Sequence, residues 1–122
     1  MEQRIGDPPI RRYPRMAAQY AVSYRRVLPG GGEGPAGFSE TQTIGLGGLM
    51  FESENPLERG ENLQVEIALG DHTVRATGTI VYVERRDGRP WQIGVQFTAL
   101  GEDDRDALLG VYLQREYRLP HD

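Results

Sequence analysis

Residues 61–69, "ENLQVEIAL", and residues 91–97, "WQIGVQF", decide the fold class. In the first, Leu63, Val65, Ile67 and Leu69 alternate with polar or small residues, and in the second Trp91, Ile93, Val95 and Phe97 do the same. Successive side chains of a strand point to opposite faces, so a period of two marks strands with one face on a core. Between them, "TVRATGTIVYVERR" (73–86) reads as a longer strand, entered through the turn "GDHT" and left through "RDGRP".

The same pattern extends towards the N-terminus. "AAQYAVSYRRV" (17–27) puts Tyr20, Val22 and Tyr24 on one face of a strand, and "PGGGEGPAG" (29–37) reads as a flexible loop. "FSETQTIG" and "LGGLMFES" read as two short strands joined by glycines in a hairpin or a corner, with "NPLERGE" as the following turn. About six strands therefore precede Thr98. The period then changes: in "GEDDRDALLGVYLQREYRL" Leu108, Val111, Tyr112 and Arg115 recur at helical spacing. A helix is expected from about Glu102 to Arg118, with Asp103 or Asp104 capping its first turn and Arg115 and Arg118 near its end. Its Leu108, Val111 and Tyr112 stripe should pack on the core. Short antiparallel strands in this number favour a closed barrel, because closure hides the edges of a small sheet. The expected fold is mainly β, a six-stranded antiparallel β-barrel with a C-terminal α-helix.

Composition bounds the rest. A chain of 122 residues, 38% hydrophobic, is one domain with a single core. The absence of cysteine excludes disulfides, thiolate metal sites and thiol nucleophiles. "MEQRIGDPPIRRYPR" lacks the apolar core of a secretory signal, and no stretch approaches the roughly 18 apolar residues of a membrane helix. The expectation is a cytoplasmic protein with no membrane insertion. All 14 basic residues are arginine. Residues 1–26 hold six of them against Glu2 and Asp7, a net +4, while residues 27–122 carry a net −8. A basic arm on an acidic body disfavours DNA or RNA as a partner, since a duplex needs a continuous basic face. It suits a small polyanion held by arginine forks.

Catalysis finds no constellation. His72 lies in a turn and His121 is next to the last residue, so no Ser-His-Asp or metal-binding spacing exists. The acids of "GEDDRD" are those a helix N-terminus attracts. "TIGLGG" is followed by no Gly-Lys-Ser/Thr and sits in no βαβ unit, which rules out a Walker loop and a dinucleotide fingerprint. The chain is read as a non-enzyme without cofactor or metal.

The order of features, "RRYPR" before the first strand, "TIGLGGLMF" at the second and third, "IGVQF" at the last and a closing helix, resembles the PilZ domain, a family of bacterial cyclic di-GMP receptors. "RRDGR" (85–89) has the same arginine spacing as "RRYPR" but lies in a hairpin turn, so the succession of features, not the spacing, carries the resemblance. The family's first motif, RxxxR, falls on Arg11 and Arg15, with Arg12 between them. The resemblance implies that these clamp phosphates and guanine edges. The second, [D/N]xSxxG, falls on Thr43, Gly45 and Gly48, and only the last matches. Each buried hydrogen bond lost costs roughly 1–3 kcal/mol, so the two replacements would weaken binding by about tenfold to over a thousandfold. Glycines at 45, 47 and 48 also suit a sharp corner with positive φ.

The resemblance divides the chain into an arm (1–10), a PilZ-like domain (11–118) and a tail (119–122). It implies a receptor whose arginine arm is ordered on the barrel by cyclic di-GMP and which then signals to a protein partner. The alternative is a PilZ-like adaptor that binds partners without the nucleotide, in motility or type IV pilus function. Because residues 1–10 contain Gly6, Pro8 and Pro9 and no apolar periodicity, the arm is expected to be mobile without ligand.

Overall fold

In the computed structural model, which describes residues 16–118, seven strands and one helix follow one another along the chain. They are β1 (Met16–Ala17), β2 (Ala21–Val27), β3 (Glu33–Ile44), β4 (Gly48–Ser53), β5 (Asn62–Leu69), β6 (His72–Glu84), β7 (Trp91–Leu100) and α1 (Glu102–Arg118). Six form a ring in the order β3-β2-β5-β6-β7-β4, closed by antiparallel pairing of β4 with β3. The two-residue β1 pairs with the end of β3. The expected six-stranded antiparallel barrel with a C-terminal helix is the observed fold.

The alternating residues line the interior as their period requires. Val22, Tyr24, Leu63, Val65, Ile67, Val74, Ile80, Ile93 and Val95 are buried, with Ile44, Leu49 and Phe51 from the short strands. Complete burial of one such aliphatic or aromatic side chain stabilises by about 1.5–3 kcal/mol, and this shared interior holds the ring shut. Tyr24 spans it, its ring centroid 4.9 Å from that of Phe51 and its hydroxyl 2.9 Å from the buried Ser53 Oγ.

The helix has the expected bounds, Glu102–Arg118. Leu108 is buried, Val111 is half-buried and Ala107 and Leu109 pack against the core; the side chain of Tyr112 is outside the described residues. The helix's first turn carries the expected acids, Glu102, Asp103 and Asp104. Asp104 does not cap the helix: its carboxylate meets His72 Nε2 at 2.8 Å and accepts from the Arg75 backbone N–H at 3.3 Å. It ties α1 to β6 instead.

A second difference lies in residues 33–37, read as loop but forming the start of β3. Val27 pairs with Glu33, Arg25 with Ala36 and Tyr24 with Gly37. The glycine is needed there because a Cβ at position 37 would overlap the Tyr24 phenol. Residues that signal a turn by composition here allow close approach within a strand. On its other side this half of β3 has no strand neighbour among the described residues, since β4 pairs only at Thr41, Thr43 and Ile44.

Candidate functional site

The second motif occupies the β3–β4 hairpin. Thr43 ends β3 beside Ile44, and the Gly45 N–H donates to the Gly48 carbonyl across the turn at 2.9 Å. Gly47 offers its carbonyl to the Phe97 N–H of β7 at 2.8 Å. The turn is thus fixed by backbone hydrogen bonds on both sides. The expected positive φ angles are not found: glycines with positive φ are 30, 31, 60, 70 and 88, and positions 45, 47 and 48 are not among them. Gly48 is required for space instead, because a Cβ there would overlap the Val95 carbonyl oxygen.

β1 lies against the second motif. Met16 pairs with Ile44 and Ala17 with Thr43. Arg11, Arg12 and Arg15, like the expected mobile arm 1–10, lie outside the described residues. The segment after β1 is held by Thr41, whose buried hydroxyl donates to the Ala18 carbonyl at 2.5 Å and accepts from the Tyr20 N–H at 2.9 Å. A buried side chain that satisfies two backbone groups fixes their position more firmly than an exposed one.

Thr43 itself is different. Its Oγ1 is buried and has no hydrogen-bond partner among the described residues, a condition that costs roughly 1–3 kcal/mol where it persists.

Paired residues of adjacent strands share a face, so the register extends this site across the barrel's outer surface. Thr43 opposes Met50, Met50 opposes Gly94, and Gly94 opposes Tyr82. The next row runs from Glu52 to Gln92 to Glu84. Glu52 Oε2 accepts from the Gln42 amide at 3.1 Å and from the Gln92 amide at 2.8 Å. The Tyr82 hydroxyl donates to Glu84, and this hydrogen bond, reinforced by partial desolvation and the carboxylate's charge, raises the phenol above its ordinary pKa. None of Met50, Glu52, Tyr82 and Gln92 was marked as a site residue by the sequence. They come from separate strands, and only the register places them side by side.

Among the described residues no group of three or more His, Asp and Glu could hold a metal ion, and no helix is long and apolar enough to cross a membrane. The sequence model of the PilZ domain matches residues 9–114. The chain belongs to the PilZ domain family. No curated protein matches it.

Solved PilZ structures share the fold. The Bacillus subtilis inhibitor of motility MotI/DgrA superposes with a TM-score of 0.72 at 16% identity, over 89% of this chain and 52% of that one. The PilZ domain of YcgR from Escherichia coli, solved with c-di-GMP, gives 0.66 at 20% identity over 92% and 97%. The K. pneumonia MrkH–c-di-GMP complex gives 0.68 at 18% identity over 92% and 55%. This PilZ chain therefore spans about half the length of MotI and MrkH, and nearly all of the YcgR domain.

Proposed function

We propose that this PilZ domain is a cyclic di-GMP receptor, whose ligand is held between Arg11, Arg12 and Arg15 and the Thr43–Gly48 hairpin. The observation that supports this reading is the pairing of Met16 with Ile44 and of Ala17 with Thr43, which seats the strand that follows the first motif against the second. Two solved relatives carry c-di-GMP, and arginine forks match both its phosphates and its guanine edges. The buried Thr43 hydroxyl, without a partner among the described residues, is a group that a polar ligand atom would satisfy. Gly45 leaves the place of the family's serine without a side chain, so its share falls to backbone or water.

In this reading the ligand ties the arm (1–10) to the domain (11–118), and the ordered surface is what a protein partner recognises. The protein works in the cytoplasm, without catalysis, nucleic acid or membrane insertion. Calorimetric titration with cyclic di-GMP, with GTP as control, should give saturable binding specific to the cyclic dinucleotide. Amide shifts should concentrate at residues 11–17 and 43–48. A protein that binds partners but shows no affinity for the nucleotide would be the adaptor instead, a reading favoured by Thr43 and Gly45 standing where the family has Asp or Asn and Ser.

A further inference from the structure

The outer half of β3 presents an open sheet edge. Its pairing with β4 stops at Thr41 and Phe51, and beyond that point the Ser39 hydroxyl reaches across to donate to the Glu52 carbonyl at 2.6 Å. The chain then turns away, with Ser53 Oγ donating to the Asn55 carbonyl at 2.8 Å. Along residues 33–38 no described strand continues the line of β4. Which groups face that side follows from the other edge. The Thr41 N–H donates to the Tyr20 carbonyl at 2.8 Å, and β2 and β3 stay in step from Glu40 to Ala36. Successive residues of an antiparallel strand turn their N–H and C=O groups to alternate sides. Ser39 and Gly37 therefore address β2, while Phe38 and Ala36 turn theirs to the open side.

We infer that this edge is a docking site for an extended, basic segment of a protein partner, which adds to β3 as a further strand. Soluble proteins guard unpaired edges with proline, charge or a covering element, because a row of open backbone groups invites another strand. Here Pro35 follows Ala36 on the β2 side, where the register shifts, so it removes no donor from the open side. Phe38 projects beside that side 85% exposed, more than any other large hydrophobic side chain among the described residues. Exposed Ala36 shares its face. Main-chain hydrogen bonds supply the affinity of an added strand, and its alternate side chains supply the selectivity.

Charge decides the occupant. Glu33 lies at one end of the edge and Glu40 at the other, with Glu54 where the chain leaves β4, and all three are exposed. Arg25 approaches Glu33 only at 3.7 Å, with both side chains largely in solvent, and residues 27–122 together carry a net −8. A segment with a basic residue at each end and apolar side chains between them complements this row. A second copy of the chain would bring the same acids against one another, and like charges across a pair of strands oppose it. The assignment does not rest on the nucleotide reading, and its test contains no nucleotide.

The test is an NMR titration of the full chain with a capped peptide of alternating valine and threonine that carries a lysine at each end. The amide protons of Phe38 and Ala36 should move downfield as they acquire acceptors, while those of Gly37 and Ser39, already turned to β2, stay in place. The same peptide with glutamate for lysine should bind about tenfold more weakly or worse. Phe38→Ser should weaken the lysine peptide by about tenfold and leave the melting temperature unchanged, since the ring it removes is in solvent. No binding of the lysine peptide, equal binding of both peptides, or shifts without that alternation overturn the assignment. So does self-association of the free chain in sedimentation with the Phe38 and Ala36 shifts already present, which would give the edge to a second copy.

Discussion

Two arginine clusters of identical spacing, "RRYPR" at 11–15 and "RRDGR" at 85–89, stand in different surroundings. The first runs directly into β1, which is registered against the Ile44–Thr43 end of β3. The second tips the β6–β7 hairpin, where Arg85 lies 5.1 Å over the Trp91 ring and its Nε donates to the Arg89 carbonyl at 3.2 Å. Arginine spacing alone says little about function. What distinguishes the clusters is the strand that continues each one and the face that strand shares.

The comparison breaks most sharply if the first cluster proves dispensable. Replacing Arg11 and Arg15 together by alanine should lower cyclic di-GMP affinity by about a thousandfold, at roughly 1.5–3 kcal/mol for each charge-assisted hydrogen bond. Calorimetry on both proteins checks this, and thermal melting should show an unchanged fold. Arg89→Ala, in the second cluster, should lose much less. Next in size, Gly48→Ala forces a methyl against the Val95 carbonyl and should destabilise the barrel by about 1–3 kcal/mol, measured by urea denaturation. The second motif forms that turn, so binding should weaken in parallel.

Restoring the family residues sharpens the comparison from the other side. Thr43→Asp with Gly45→Ser should strengthen binding about tenfold or more, the equivalent of one regained hydrogen bond. Gly45 is not among the positive-φ glycines, so serine meets no left-handed backbone strain there. The smallest effect concerns the second cluster's neighbour. Tyr82, held neutral by its hydrogen bond to Glu84, should titrate above the ordinary value of about 10. Its contribution to stability is present below that pH and is lost as pH rises through the folded value. Glu84→Gln should bring the Tyr82 ring carbon shift, followed by NMR, back towards an ordinary titration.

Where each element's own pattern sufficed, the fold was legible. Leu63–Leu69 and Trp91–Phe97 declare their strands by alternation, and the change of period after Thr98 locates the helix. Residues 33–37 read as loop because Gly34, Pro35 and Gly37 look like turn formers, whereas Gly37 makes room for the Tyr24 ring within a strand. β1 was invisible, since two residues have no period. The site divides in the same way. The frame Thr43–Gly48 follows from local sequence. Its junction with β1 and the Met50–Gly94–Tyr82 row depend on which strands become neighbours, a property of ring closure that no single segment carries.

One half of β3 has consequences for motion. Residues 33–38 pair with β2 alone, while residues 41–44 are held between neighbours on both sides. The outer half of β3 is therefore a flap with its root at Thr41, free to open from β2 while β2 stays paired to β5 over Val22–Val27. Its outer amides can exchange with solvent through local opening, without rupture of the ring. The hinge sits within two residues of Thr43, so a molecule seated on that threonine grips the flap at its root. Exchange rates far out along residues 33–38 would then register occupancy of a site those residues never touch.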